Sequence, residues 1–411
     1  MPSRRAVLAA STFALTAVAV SAQRPQPLHE HPVIRYTTAP TTDRVAALKT
    51  EIESGARSLL HDARTGYLRG LLDALGVAPE SQLLVFSKTG VQRAYTSPHT
   101  PRALYFDESV AIGYVPGAPR LEVAAHDPRQ GVVFYTVDQA AAPPTITRQT
   151  GCLACHVSTA TVEVPGLIAR SNVVRDDGSF VPAAAHDVDH RTPHPDRWGG
   201  WFVTQDAASV PYAQRAHAGN ITTGARGETS NQVMVDWMNS DPEQRGYLSP
   251  LSDIVALLVF DHQAHGVNLL TRLNWESRVG GAAVPRLVDE LTDYLLFVGE
   301  APPSVALFPR PGFADHLVAR VPKDRQGRSL AELDLNRRLF RYPCSYLVYT
   351  QAFDALPTPV KTAVYRRIVE ILSSGDSAGK YAALSAADRR DVLEILRDTK
   401  PDFPRAVDST R

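Results

Sequence analysis

The chain has 411 residues, 44% of them hydrophobic and 21% charged, with 43 basic side chains against 43 acidic. That is enough apolar material for one large core or two ordinary ones. The neutral balance argues against nucleic acid as a partner, which would call for a basic surface. The 31 prolines are spread along the chain, so they mark turns and not a low-complexity tract.

The first 22 residues have the pattern of an export signal. A basic start, "MPSRR", precedes the 15-residue apolar run "AVLAASTFALTAVAV", and Val20 and Ala22 then fall at the small −3 and −1 positions. This predicts cleavage after Ala22. The run is short for a transmembrane span, which needs about 20 apolar residues. No cysteine follows it to take a lipid, and Arg4-Arg5 reads as a charged start before a twin-arginine address. The mature protein is thus expected to be soluble and periplasmic or otherwise extracytoplasmic, with no membrane insertion.

Residues 23–41 are Pro-rich and aperiodic, which suits a linker or arm. From Thr42 to about Gly76 the spacing predicts helix: Thr41, Thr42 and Asp43 offer an N-cap, and Val45, Leu48, Ile52 and Leu59 share one face. Between about 80 and 140, "QLLVFSKTG", "RALYFDESVAIGYVPGAP", "RLEVAAHD" and "GVVFYTVDQ" are short β-branched and aromatic runs. Pro116-Gly117 and "DPRQG" at 127–131 are the turns between them, and an antiparallel meander is predicted.

Residues 145–230 are irregular and rich in Gly, Pro and His, and a stretch this long inside a compact domain usually carries function. After Asn231 the pattern is helical nearly to the end. A Ser252 N-cap opens a long helix, and "PRLVDELTDYLLFVG", "LAELDLNRRLF", "PVKTAVYRRIVEILSSG" and "SAADRRDVLEILRD" follow. The fold class is therefore α+β and mainly helical, with a small antiparallel sheet in the N-terminal half and a helical C-terminal half. The divisions are 1–22, 23–41, 42–144, 145–230 and 231–411, with 42–411 forming one compact unit.

Within the irregular segment stands "GCLACHVS", residues 151–158. Four chemistries compete for Cys152 and Cys155. A zinc site could be completed by His186 and His190, but the gap is far longer than a finger's. A redox dithiol wants a strand before it and a helix after it, and neither is strongly signalled. A disulfide between i and i+3 closes too small a loop to add much stability. The fourth is a c-type haem site, in which both thiols bond haem and the following His binds iron. His156 favours this fourth reading. With 13 His in 411 residues, a given position is His by chance only about 3% of the time. The export signal also places the chain where such attachment occurs.

The box "CLACH" resembles that of c-type cytochromes. The stretches "PRALYF" (101–106), "RWGGWFVT" (197–204), "HAGN" (217–220) and "RYPCSYL" (341–347) are similar to ones in large bacterial proteins that carry a cytochrome c domain. The resemblance implies one covalently attached haem c, with Cys152 and Cys155 as thioether anchors and His156 as axial ligand to the iron. It implies no established reaction. One-electron transfer with an unidentified redox partner protein is expected; a haem enzyme of peroxidase or oxidase type, with an open iron face, is the alternative, and a zinc-binding structural protein the second.

For the iron's sixth position the expected ligand is His262. Val255, Leu258, His262, His265, Leu269 and Leu273 step by 3, 4, 3, 4 and 4, so both histidines lie on an apolar stripe. His265, His190, His217, Met234 and Met238 are further possibilities. His186, His190 and His194 read first as a solvated loop, and Cys344, among large apolar residues, as a buried inert thiol.

Overall fold

A computed structural model describes residues 27–175, 177–204, 216–218, 245–303, 307, 312–374 and 379–403. The predicted signal, Met234 and Met238 lie outside them, and of His217 only the backbone is described.

Two short helices open the described chain, α1 (Arg44–Glu53) and α2 (Leu68–Leu75). Asp43 caps α1, its Oδ1 accepting from the Val45 and Ala46 amides at 2.9 and 3.0 Å. The single helix predicted over 42–76 is instead broken in two. Gly55 sits at φ +75°, and Asp62 and Gly66 exchange backbone hydrogen bonds, so the chain turns before α2 begins.

The predicted meander is present as β1 (Leu83–Val85), β2 (Arg102–Phe106), β3 (Val110–Tyr114), β4 (Arg120–Asp127), β5 (Gly131–Asp138) and β6 (Ile146–Arg148). All are antiparallel neighbours in that order. After the one-turn helix α3 (Leu153–His156), the strands β7 (Arg170–Ser171) and β8 (His186–Asp187) pair with each other. Then β9 (Trp201–Thr204) returns to pair with β1, and β10 (Ala216–Ala218) adds outside it. The irregular segment is thus joined to the sheet it follows.

Both faces of the sheet are covered, so its strands read as nearly continuous apolar runs. Leu84, Phe86, Tyr105, Ile112 and Tyr135 face α1 and α2. The alternate residues Leu83, Val85, Phe106, Val132 and Phe134 belong to the core built on the C-terminal helices. The chief of these is α4 (Ile254–Val279), followed by α5 (Val284–Leu295), α6 (Phe313–Arg320), α7 (Gln351–Asp354), α8 (Thr358–Ser373) and α9 (Ala386–Thr399). Asp253, not Ser252, caps α4: its Oδ1 accepts from the Val255 and Ala256 amides. The Ser252 hydroxyl accepts from Leu84 N at 2.9 Å and so ties the helix start to β1. The helix predicted at "LAELDLNRRLF" does not form. Asp334 Oδ1 accepts from the Asn336 and Arg337 amides, and Leu335 adopts φ +61°, which turns the chain locally.

The turn between β4 and β5 shows how the sheet meets α4. Gly131 sits at φ +71°, and a Cβ there would lie 2.4 Å from Thr271 Cγ2. Gly131→Ala therefore combines a left-handed backbone cost with a clash on α4. We expect a loss of about 2 kcal/mol or more in urea unfolding. A midpoint equal to wild type would mean that the turn is not seated on the helix.

Candidate functional site

The CxxCH stretch folds as one turn immediately after the last strand of the meander. His156 N donates to Cys152 O at 3.0 Å and Val157 N to Leu153 O at 3.1 Å, which brings both cysteines and the histidine onto a single turn. Both thiols are free, Cys152 half-buried and Cys155 exposed. Burial, then the Glu122 carboxylate, pushes the Cys152 thiol up from its ordinary pKa. A reactive dithiol needs the opposite shift and a longer helix behind it, so this setting does not favour that chemistry.

His156 packs its ring against Phe134 of β5, with centroids 4.7 Å apart. Burial holds its imidazole below the ordinary pKa, so the ring is neutral at neutral pH. Its Nδ1 lies 2.8 Å from Gly166 O, and only an Nδ1–H can satisfy a carbonyl there. The proton is thus fixed on Nδ1, and Nε2 keeps its lone pair, with no hydrogen-bond partner among the described residues. An imidazole in this tautomer, braced by a carbonyl, is a suitable metal ligand. The residues fit the group their motif implies: two thiols and an Nε2 lone pair on one turn.

Gly166 and its brace were not legible in the sequence. Gly166 N donates back to His156 O at 3.1 Å, and Thr161 Oγ1 donates to the same oxygen at 3.2 Å. The next residue is clamped to α4: Asn268 Oδ1 accepts from Leu167 N at 3.0 Å, and Asn268 Nδ2 donates to Leu167 O at 2.7 Å. The only available signal was a polar side chain, Asn268, within the apolar stretch Val267–Leu270, and it is one of two Asn on that helix.

The structure places the other histidines elsewhere. His262 is fully buried, and both of its ring nitrogens are engaged: Nδ1 lies 2.8 Å from His190 Nδ1 and Nε2 lies 2.6 Å from Ser345 Oγ. Its ring stacks on Tyr294 and Phe297. Six positions along α4, Asn268 points about 120° away around the helix axis, toward the loop that holds His156. The stripe that suggests His262 as distal iron ligand does face the core, and there His190 and Ser345 engage both of its ring nitrogens.

His265 meets Arg191 Nη2 through Nε2 at 3.4 Å and packs on Tyr294. Of the three histidines read as a solvated loop, only His186 is exposed, its Nε2 against Asp196 O at 2.8 Å. His190 and His194 are buried, because the loop folds under Arg197, which donates to Thr192 O and His190 O. The pair that could complete a zinc site is thus spoken for by other groups. Among the described residues no three His, Cys, Asp or Glu side chains gather as a metal site. Cys344 is fully buried, and burial pushes its thiol up to about 12.

No family model, curated protein or solved structure matches the chain.

Proposed function

We propose that the protein is an extracytoplasmic single-haem c-type cytochrome that passes one electron at a time to and from a redox partner protein. Cys152 and Cys155 hold haem c through thioether bonds, and His156 Nε2 is the axial ligand. The observation that carries this reading is the His156–Gly166 hydrogen bond, which leaves the ligating nitrogen unprotonated on the same turn as two free thiols. Bound there, haem iron supplies a centre that takes up and releases single electrons.

The chain's own residues do the rest. Phe134 sets an apolar ring beside the ligand. The exposed Cys155 puts one thioether anchor at the surface, which suits electron exchange at a haem edge. No helix among the described residues is long and apolar enough to cross a membrane. The reading also takes residues 1–22 as the export signal that delivers the chain to the compartment where haem is attached.

The test is expression with export and haem attachment intact. Wild type is expected to carry one haem that survives denaturation. Cys152→Ala or Cys155→Ala alone is expected to leave a single, weaker attachment, and the double variant none. Bound zinc with no haem absorption band would remove the proposal.

A further inference from the structure

We infer that Asn268 is a positioning residue for His156, acting through the backbone of Leu167 and Gly166. This rests on the reading of His156 as axial ligand, but its physical core is a chain of hydrogen bonds that stands without it.

The loop from His156 to Leu167 is closed by its own hydrogen bonds, Gly166 N to His156 O among them, but is strained at two residues. Val162 and Glu163, neither of them glycine, adopt φ of +48° and +63°. Such residues cost roughly 1–2 kcal/mol each and persist only where neighbours hold them. The neighbour is α4, which grips the loop at two points one turn apart. Arg272 Nη1 donates to Val162 O at 3.1 Å, and the Asn268 amide takes both backbone groups of Leu167. Asn268 is buried, with 1% of its surface exposed, so these hydrogen bonds have little competition from water.

Gly166 lies between clamp and ligand. A Cβ there would sit 2.2 Å from Asn268 Oδ1 and 3.0 Å from Thr161 Cβ. Only glycine lets the amide close on Leu167 while the preceding carbonyl points at His156. The order of action is therefore Asn268, Leu167, Gly166 O, His156 Nδ1–H. Without the clamp the carbonyl keeps only the loop's own hydrogen bonds to hold its direction. The imidazole is then held less firmly in its Nδ1–H tautomer and its ring plane. With iron on Nε2, loss of that hydrogen bond makes the ring a poorer electron donor and favours the reduced metal.

Asn268→Leu keeps the volume and removes both hydrogen bonds. The first readout is the His156 tautomer by selective ¹⁵N histidine labelling, in the full chain made without haem attachment and assigned with a His156→Gln control. Wild type is expected to show the Nδ1–H form, and Asn268→Leu a mixture with Nε2–H. The second is the reduction potential of the haem-loaded chain, expected to move upward in the variant. A variant that is merely less stable, with tautomer and potential unchanged, overturns the inference. A tautomer shift in Asn268→Leu, beside an exported wild-type chain that never takes up haem, keeps the positioning role and removes the haem reading. If Asn268→Leu fails to fold, Asn268→Asp, which still accepts from Leu167 N, gives the same tautomer readout at smaller amplitude. No shift there overturns the inference equally.

Discussion

Replacing His262 by alanine is expected to cost about 3–5 kcal/mol of folding stability while leaving haem attachment at Cys152 and Cys155 intact. The ring fills space between Tyr294, Phe297, Phe340 and Tyr346, with centroids 4.5 to 6.4 Å away. Its removal leaves a cavity that rigid aromatic neighbours cannot easily close. It also strips a partner from His190 Nδ1 and from the Ser345 hydroxyl, both buried. His190 Nε2 already has no hydrogen-bond partner among the described residues, so the variant would leave that imidazole with neither nitrogen satisfied. Urea unfolding followed by circular dichroism measures the loss. An unchanged midpoint together with a lost low-spin iron spectrum would instead make His262 an iron ligand.

Acid is expected to destabilise the protein steeply between about pH 6.5 and pH 4. Burial holds His262 down to about 3 and His126 and His194 to about 4, and it holds His190 well below its ordinary value and His265 below it. In the unfolded chain these rings take up protons near pH 6.5. As pH falls through that value the unfolded state gains protons that the folded state refuses, so stability drops until the folded rings titrate. Asp261 and Glu300 act in the opposite sense. Burial raises both to about 7, so the folded state keeps two protons that the unfolded chain releases near pH 4. Arg197, 3.9 Å from Asp261, moderates that shift but does not cancel it. With His156 also held down and Asp43 also raised, six histidines outweigh three carboxyls, and each net proton contributes about 1.4 kcal/mol per pH unit. Urea midpoints are therefore expected to rise from about pH 4.5 to pH 6.5 and to level off above. A midpoint that falls over that interval would show that the carboxyls dominate.

Local signals account for what could be read from the sequence. The meander follows from β-branched and aromatic runs parted by Pro116-Gly117 and Asp127–Gly131, and each turn is where those residues require it. The terminal helix was legible in "SAADRRDVLEILRD", where Ser385 and Asp388 form the capping box. The cysteine–histidine box could be proposed from sequence because its residues are five in a row, and they do fold as one turn. What could not be read was whatever depends on distant partners. His262 is answered by Ser345, 83 residues on, and by His190, 72 residues before. The brace on His156 joins Leu167 to an asparagine 101 residues away. Helix periodicity marks which side of α4 is apolar, but not which neighbour each side meets. The burial of His190 was hidden for the same reason, since His262, Tyr294 and Phe297 lie in other segments, whereas His194 packs on Trp198 of its own.

The central claim is covalent haem at Cys152 and Cys155. Its most direct test is the mass of the tryptic peptide spanning residues 149–170, taken from the exported protein after denaturation. The account predicts that this peptide carries the added mass of one haem and absorbs as haem does, with no free thiol at either cysteine. Recovery of the peptide at its bare mass, with both thiols open to alkylation, would contradict it.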